Sequence, residues 1–452
     1  GHTDTSKSER SRKMSMDRRI DGKAIYHVDG VVNGGNYKGR ASGIAFAATT
    51  LVAGLCIALL GASAARAQVA PLPTPPGFEP PSGMSFNEFE YYVRLQAGLK
   101  STTNVRLDPT EEGDIKKLAA INAVARSKWK KHALAVTLGF IESKALATSD
   151  QKQDAKSGTL SGRYDFSEKL NFEFGVSRNE SIIGKNSPLQ FSGSLNGTTQ
   201  IKTYEGAFKW DDKVNFLNVF ARFQDVLNVT DIDVTVLSRL QSQDREEHNQ
   251  TLEVGRYVDW GKVYLYGGPQ RVTYTGSDFL LPEDRDSTGG RLGFGADFKN
   301  GNLQGQIRII GFGQYFDAPT INDIESVVGK AQITRKIDDK WSTAAVVERN
   351  FEETNIETSG GLYTNLAGVG VVYAAWKDAY VKIGPTYRFY QIDGTRYKAK
   401  SFTLDTTAAW QIHERAELLF NSSISNQTAN DVFLAEQVYS EASATLSLVV
   451  SF

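Results

Sequence analysis

The chain has 452 residues, with 51 Lys/Arg and 52 Asp/Glu, and therefore a formal charge of −1 at pH 7. The first 67 residues hold ten of the basic and five of the acidic residues, so the remainder is weakly acidic, with a charge of about −6. This balance argues against a dedicated nucleic-acid binder. The only cysteine is Cys56, so no disulfide framework is expected.

The N-terminal region is predicted to be a secretory leader. A basic segment precedes an apolar run at residues 44–60, and small residues then lead to an Ala-x-Ala motif. This order is typical of a signal peptide. We predict that cleavage follows the motif formed by Ala65 and Ala67, so that Gln68 becomes the first residue of the mature chain. We therefore exclude residues 1–67 from the fold. The alternative is a membrane-anchoring helix, because the apolar run approaches spanning length.

Residues 68–87 are predicted to be a periplasmic tail ahead of the folded part. Residues 71–81 hold six of the twelve prolines of the chain, which favours an extended segment that cannot donate to a sheet. A proline-rich ligand for a partner protein is the alternative.

Residues 88–452 repeat one unit, in which two alternating apolar and polar runs are joined by a tight turn and followed by a longer polar loop. The tight turns recur about every 40 residues, the length of a hairpin with its loop. Eight such turns predict eighteen strands, and sixteen is the alternative because the second run alternates poorly. The predicted spans are 88–102, 114–128, 132–144, 154–166, 169–181, 198–210, 214–226, 245–258, 262–276, 288–299, 302–315, 325–337, 341–352, 362–376, 380–392, 397–411, 416–428 and 437–452.

Each run has one apolar and one polar face, as in the run where Leu170, Phe172 and Phe174 alternate with Asn171 and Glu173. Period two is the signature of a strand. The mean hydropathy of the chain is negative. A transmembrane β-barrel is compatible with that value because only alternate residues face lipid.

All the tryptophans flank the predicted tight turns. An indole has an apolar body and one N–H donor, so it is suited to the boundary between hydrocarbon and water. We predict that these residues form an aromatic girdle at the periplasmic side of a barrel. They are Trp129, Trp210, Trp260, Trp341, Trp376 and Trp410.

The chain ends on an alternating segment in which Leu446, Leu448, Val450 and Phe452 share one face. A terminal Phe after apolar residues at every second position is typical of the assembly signal of outer-membrane barrels. The expected partners are the barrel-assembly machinery, outer-membrane lipid and lipopolysaccharide.

The pattern therefore predicts an all-β protein, an antiparallel up-and-down barrel in the outer membrane with both ends in the periplasm. A β-propeller also repeats hairpins at this period. Its blades use shorter strands, and no blade motif recurs here, so the barrel is favoured.

The first predicted tight turn carries a family resemblance. Ser127-Lys128-Trp129 precedes the turn, and His132-Ala133-Leu134 begins the next strand. This segment resembles the first periplasmic hairpin of the putative β-barrel porin 2 family. The resemblance implies an outer-membrane barrel of Gram-negative bacteria, and some relatives accompany machinery for extracellular polysaccharide.

No catalytic, cofactor-binding or metal-binding constellation stands out. Beyond the leader the histidines are His132, His248 and His413, which are spread along the chain rather than grouped as metal ligands. We expect no enzyme activity, no cofactor and no nucleic-acid partner.

The predicted lumen is the remaining candidate site, since polar faces of a closed wall line an aqueous channel and charges there set ion preference. The alternative for any one residue is that it faces water without a role in transport. The candidate lumen charges are Arg94, Lys100, Arg308, Lys330, Lys382 and Arg388.

The leading functional hypothesis is a porin-like channel for passive passage of small hydrophilic solutes or ions. One alternative is an exit component for exopolysaccharide secretion, with polysaccharide-export partners. Another is a structural or adhesive barrel without transport, using outer loops such as residues 225–244.

Overall fold

The structure is a computed structural model, and it describes residues 83–104, 113–147, 152–183, 197–229, 244–275, 285–352, 359–430 and 438–452. Within these residues the chain forms β-strands and their connections. No helix in the described part is long and apolar enough to cross a membrane.

The strands follow one another along the chain with little other structure between them. Most have 13 to 16 residues, which suits a tilted transmembrane strand with extensions beyond the hydrocarbon. They are β1 Met84–Phe86, β2 Phe89–Thr102, β3 Asp114–Ser127, β4 His132–Ala145, β5 Lys152–Asp165, β6 Leu170–Ile183, β7 Gly197–Asp211, β8 Asn215–Val229, β9 Arg245–Val258, β10 Gly261–Tyr274, β11 Ser287–Asn300, β12 Leu303–Phe316, β13 Ile324–Lys336, β14 Trp341–Glu352, β15 Leu362–Trp376, β16 Ala379–Ile392, β17 Lys398–His413, β18 Ala416–Ala429 and β19 Tyr439–Ser451.

Strands β2 to β19 form a closed antiparallel barrel of eighteen strands. Each pairs with the next along the chain, and β19 returns to pair with β2 from Ser443 opposite Thr102 to Ser451 opposite Arg94. Closure leaves no free sheet edge, which removes the template for pairing with another chain. It also satisfies the backbone hydrogen bonds that lipid cannot.

The seam between β19 and β2 is extended at the tight-turn end of the barrel. The Phe452 N–H donates to the Val93 carbonyl at 2.8 Å, and the Val93 N–H donates back at 3.1 Å. Strand β1 then pairs with the first residues of β2, with Phe86 opposite Phe89. Because β3 occupies the other edge of β2, β1 lies on the same edge as β19 and continues it.

Acidic side chains and a glycine close the tight turns. The Asp338 carboxylate accepts the backbone N–H groups of Lys340 and Trp341, both at 2.7 Å. Gly301 has a φ of 54°, which a residue without Cβ adopts at little cost. Asn300 pairs with Leu303, so Gly301 and Asn302 are the two turn residues between β11 and β12, with glycine at the first position.

The predicted strands are confirmed, and their ends lie within three residues of the observed ones. The sixteen-strand alternative is wrong. The poorly alternating second run is the full strand β3, which pairs along its length with β2 and with β4. Strand β1 is an addition, since Met84–Phe86 fall within the segment that the sequence predicts to be a tail.

Candidate functional site

The barrel wall has two chemically distinct faces. On β19, Leu446 is 52% exposed while its neighbour Ser447 is 1% exposed, and the same alternation of exposed apolar with covered polar side chains recurs on the other strands. The Tyr264 and Arg308 side chains, which belong to β10 and β12, meet across the intervening β11. Such contacts require the concave side of a curved sheet. The polar face is therefore the inner wall, and the exposed apolar face is the outer face.

The six predicted lumen charges all lie on the inner wall by strand register. Three of them pair with carboxylates of other strands: Lys100 and Lys330 with an adjacent strand, and Arg94 of β2 with β18 across β19. The distances are 3.8 Å from Arg94 to Glu417, 3.3 Å from Lys100 to Glu441 and 3.0 Å from Lys330 to Glu348.

The other three predicted lumen charges contact tyrosines. The Arg308 Nε donates to the Tyr264 hydroxyl at 2.8 Å, and Arg388 donates to the Tyr390 hydroxyl at 3.4 Å. The Lys382 ammonium lies 4.9 Å from the centre of the ring of Tyr380. That these charges set the ion preference of a channel stays a prediction.

Further ion pairs cover the inner wall between β6 and β11. Sequence reasoning did not identify these pairs, because the register that joins two distant residues is not visible in the chain. Since acids and bases alternate around this third of the wall, its charges largely neutralise each other. The pairs are Lys209 with Glu173, Arg222 with Glu205 at 3.4 Å, Arg245 with Glu247 at 2.9 Å and Lys262 with Asp297 at 3.2 Å.

Apart from Asp405, Glu417 and Glu441, the polar groups on the inner wall of β17, β18 and β19 are uncharged hydrogen-bonding groups. Thr403 and Ser425 share a hydrogen bond of 3.0 Å, and the Thr407 hydroxyl donates to Asn421 at 2.9 Å. We call this surface the hydroxyl sector. Its members are Ser401, Thr403, Thr407, Asn421, Ser423, Ser425, Gln427, Ser443, Thr445 and Ser447.

A buried aromatic cluster thickens the wall near the tight-turn end. Tyr264 and Tyr266 lie over β11, where a Cβ on Gly295 would stand 2.4 Å from the ring of Tyr264. The Tyr264 hydroxyl also donates to Asp297 at 3.1 Å. Gly293 and Gly295 therefore make room for large side chains from the neighbouring strand.

The predicted girdle residues all lie at the tight-turn end. Their side chains are exposed, from 36% at Trp210 to 73% at Trp376. Trp341 contacts Tyr373 of the next strand, with ring centres 4.4 Å apart and the ring planes tilted by 32°. The position suits a membrane boundary, and a girdle function for these residues stays a prediction.

The C-terminal residues singled out in the sequence close the barrel. Leu446, Leu448 and Val450 lie on the outer face of β19, and Phe452 completes the seam with β2. Recognition of this strand by assembly machinery stays a prediction. The predicted cleavage residues Ala65, Ala67 and Gln68 lie outside the described residues.

No group of three or more potential metal ligands occurs in the part of the chain that the structure describes. The His132 ring stacks on Tyr164 with centres 4.4 Å apart, and its Nδ1 accepts the Asp165 N–H at 3.1 Å. This histidine therefore has a structural role at its turn. His248 lies on the outer face of β9, where its Nε2 stands 3.8 Å from Glu246.

Comparison with known proteins gives one family and several barrels. The family model described as Putative beta-barrel porin 2 matches residues 75–452. Among curated proteins, none matches the chain.

Solved structures similar to the chain include OccK2 of Pseudomonas aeruginosa, at 7% identity and a TM-score of 0.47, covering 81% of this chain and 98% of that one. OccAB3 of Acinetobacter baumannii has 9% identity and a TM-score of 0.45, with coverage of 81% and 100%. The FrpB iron transporter of Neisseria meningitidis has 9% identity and a TM-score of 0.43, with coverage of 82% of each chain.

Proposed function

The chain belongs to the Putative beta-barrel porin 2 family of outer-membrane barrels, and from this premise we propose that it is a passive channel. Its cargo in this proposal is small hydrophilic solutes or ions. The observation that carries the proposal is the closed ring of eighteen strands with a polar inner wall. Rings of 16 to 18 strands leave room for an aqueous channel.

The chemistry of the inner wall supports a hydrophilic cargo. Ion pairs between β6 and β11 supply charged groups of both signs, and the hydroxyl sector supplies uncharged donors and acceptors. Such a surface can replace the hydration of a polar solute as it passes. An apolar cargo would gain nothing from it.

The outer face supports the proposed partners. Its exposed apolar side chains suit contact with outer-membrane lipid and lipopolysaccharide. We also propose that the barrel-assembly machinery recognises β19 through Leu446, Leu448, Val450 and Phe452.

The direct test is single-channel recording with the purified chain in a planar bilayer. The proposal predicts discrete conductance steps in KCl, and protein unfolded by boiling is the control. A protein that is folded, as judged by its heat-modifiable gel mobility, and yet passes no current would contradict the proposal.

The second candidate is an exit component for a secreted polysaccharide, and the hydroxyl sector is the observation that favours it. Hydroxyl and amide groups in one surface can hydrogen-bond successive sugars of a passing chain. Deletion of the gene separates the two candidates. Loss of surface polysaccharide with unchanged solute permeability would favour the second, and the reverse would favour the first.

A further inference from the structure

Two lysines oppose each other on the inner wall, towards the end of the barrel that carries the longer loops. Lys100 of β2 and Lys116 of β3 are direct partners in the strand register. Directly opposed residues have Cβ atoms about 5 Å apart, and like charges in such pairs are destabilising. Arg308 and Lys330 oppose each other in the same way, but Arg308 donates to Tyr264 and Lys330 pairs with Glu348.

Lys116 is buried without a partner. It is only 5% exposed, and among the described residues no acceptor lies within hydrogen-bond or ion-pair distance of its ammonium. A buried charge is unfavourable unless it is paired. Glu441 and Asp114 are near enough to attract the Lys116 ammonium, but neither forms a hydrogen bond or an ion pair with it among the described residues.

The two described carboxylates that attract Lys116 have other partners. One oxygen of Glu441 accepts from Lys100 at 3.3 Å and from the Thr102 hydroxyl at 3.1 Å. Asp114 accepts the backbone N–H groups of Ile115, at 2.5 Å, and Ala147, at 3.2 Å. Neither carboxylate is thus committed to Lys116.

We propose that Lys100 and Lys116 form a binding site for an oxyanion group of the transported solute, a carboxylate or a phosphate. This inference rests on the proposed channel function and adds a solute class to it. An oxyanion has several acceptor oxygens, so it can bridge two ammonium groups that a single protein carboxylate does not satisfy. The channel then binds acidic solutes saturably near its outer mouth.

The test measures block of KCl current through the wild-type channel by two probes, inorganic phosphate and sodium gluconate. Both are expected to reduce the current saturably, and the more potent one identifies the preferred oxyanion. In Lys116→Gln the half-saturating concentration is expected to rise roughly tenfold or more, as for loss of one charged hydrogen bond. The chloride-to-potassium permeability ratio is expected to fall in the same variant.

Lys117→Gln is the matched control. Lys117 is the next residue on β3 and lies on the outer face, opposite Leu99, so its loss removes the same charge without touching the site. Equal block of wild type and Lys116→Gln, or an equal loss of block in Lys117→Gln, would overturn the site. Lys116→Arg keeps the charge and is expected to keep the block. This variant shows whether the block depends on the positive charge or on an effect of the substitution on folding.

Calorimetric titration of phosphate and gluconate into the detergent-solubilised full chain distinguishes the two proposals. If no current flows but either probe binds and Lys116→Gln weakens it, the site stands and the channel function fails. If wild type conducts and neither probe binds or blocks, the site fails and the channel function stands.

Discussion

At the scale of single residues, the packing of the wall depends on glycines as much as on the large side chains that fill the space beside them. Gly295 has no Cβ, so the ring of Tyr264 can lie flat over β11 and reach Arg308. The sequence shows the glycines on this strand. Which ring fills the space depends on register, and the sequence alone does not determine it.

Gly295→Ala is expected to destabilise the barrel by about 1–3 kcal/mol, the usual cost of overpacking. The new Cβ would stand 2.4 Å from a buried ring that is held by hydrogen bonds to Arg308 and Asp297. Urea unfolding in lipid vesicles measures the loss. Gly311→Ala is the control, because its nearest contact would be an ordinary 3.8 Å. Equal stability of the two variants would contradict the packing argument.

The turn carboxylate of Asp212 gives a pH prediction. The N–H groups of Val214 and Asn215 donate to it at 2.9 and 2.6 Å and lower the pKa of Asp212. The folded pKa of Asp212 lies below its unfolded value. The Asp212 carboxylate therefore stabilises the folded barrel fully above the ordinary carboxyl pKa of about 3.9, and this stabilisation is lost as pH falls through the folded pKa.

Asp212→Asn keeps an acceptor but does not titrate. Its unfolding midpoint in urea is therefore expected to depend less steeply on acid pH than that of wild type. If the unfolding midpoints of the two proteins fell equally with pH between neutral pH and the folded pKa, titration of Asp212 would not contribute to stability.

At the scale of elements, the strands and the order of their pairing were predictable, and the residue-to-residue register was not. Alternation and the charged turns beside tryptophan locate the barrel strands to within three residues. Strand β1 escaped prediction because Met84–Phe86 is too short to show a period. The Lys100 to Glu441 pair joins residues 341 positions apart, and only closure of the barrel brings them together.

The candidate site was predictable only where the apolar and polar residues of a strand alternate clearly. Lys100 belongs to a clearly alternating run, so it was identified as facing inwards. Lys116 lies in β3, where Ile115 and Lys117 share the outer face and blur the pattern. No sequence signal marked it as buried.

The last residue of the chain supplies a prediction about β19. Phe452→Ala removes the terminal ring but keeps the backbone hydrogen bonds with Val93. The fraction of heat-modifiable barrel in the outer membrane is expected to fall, because the proposed assembly signal loses its terminal aromatic ring. Phe402→Ala is the control, since Phe402 is another exposed aromatic residue on the outer face of β17. The same yield for both variants would remove the special role of the terminal Phe.

At the scale of the whole molecule, the account depends on which face of the barrel meets water. The outer face presents exposed apolar residues from every part of the ring, and the inner wall gathers the ion pairs and the hydroxyl sector. A channel function, and an oxyanion site within it, both require the inner wall to be the wetted one.

Cysteine labelling tests this arrangement directly, because the only native cysteine is Cys56 of the predicted leader. Single cysteines are placed along β12 at Gln304 and Gln306 on the inner wall, and at Ile307 and Ile309 on the outer face. In lipid vesicles, a water-soluble thiol reagent is expected to modify positions 304 and 306. A fluorophore at 307 or 309 is expected to be quenched by a lipid-attached quencher. The reverse pattern, or equal labelling at all four positions, would contradict a lipid-facing apolar surface around a water-filled interior.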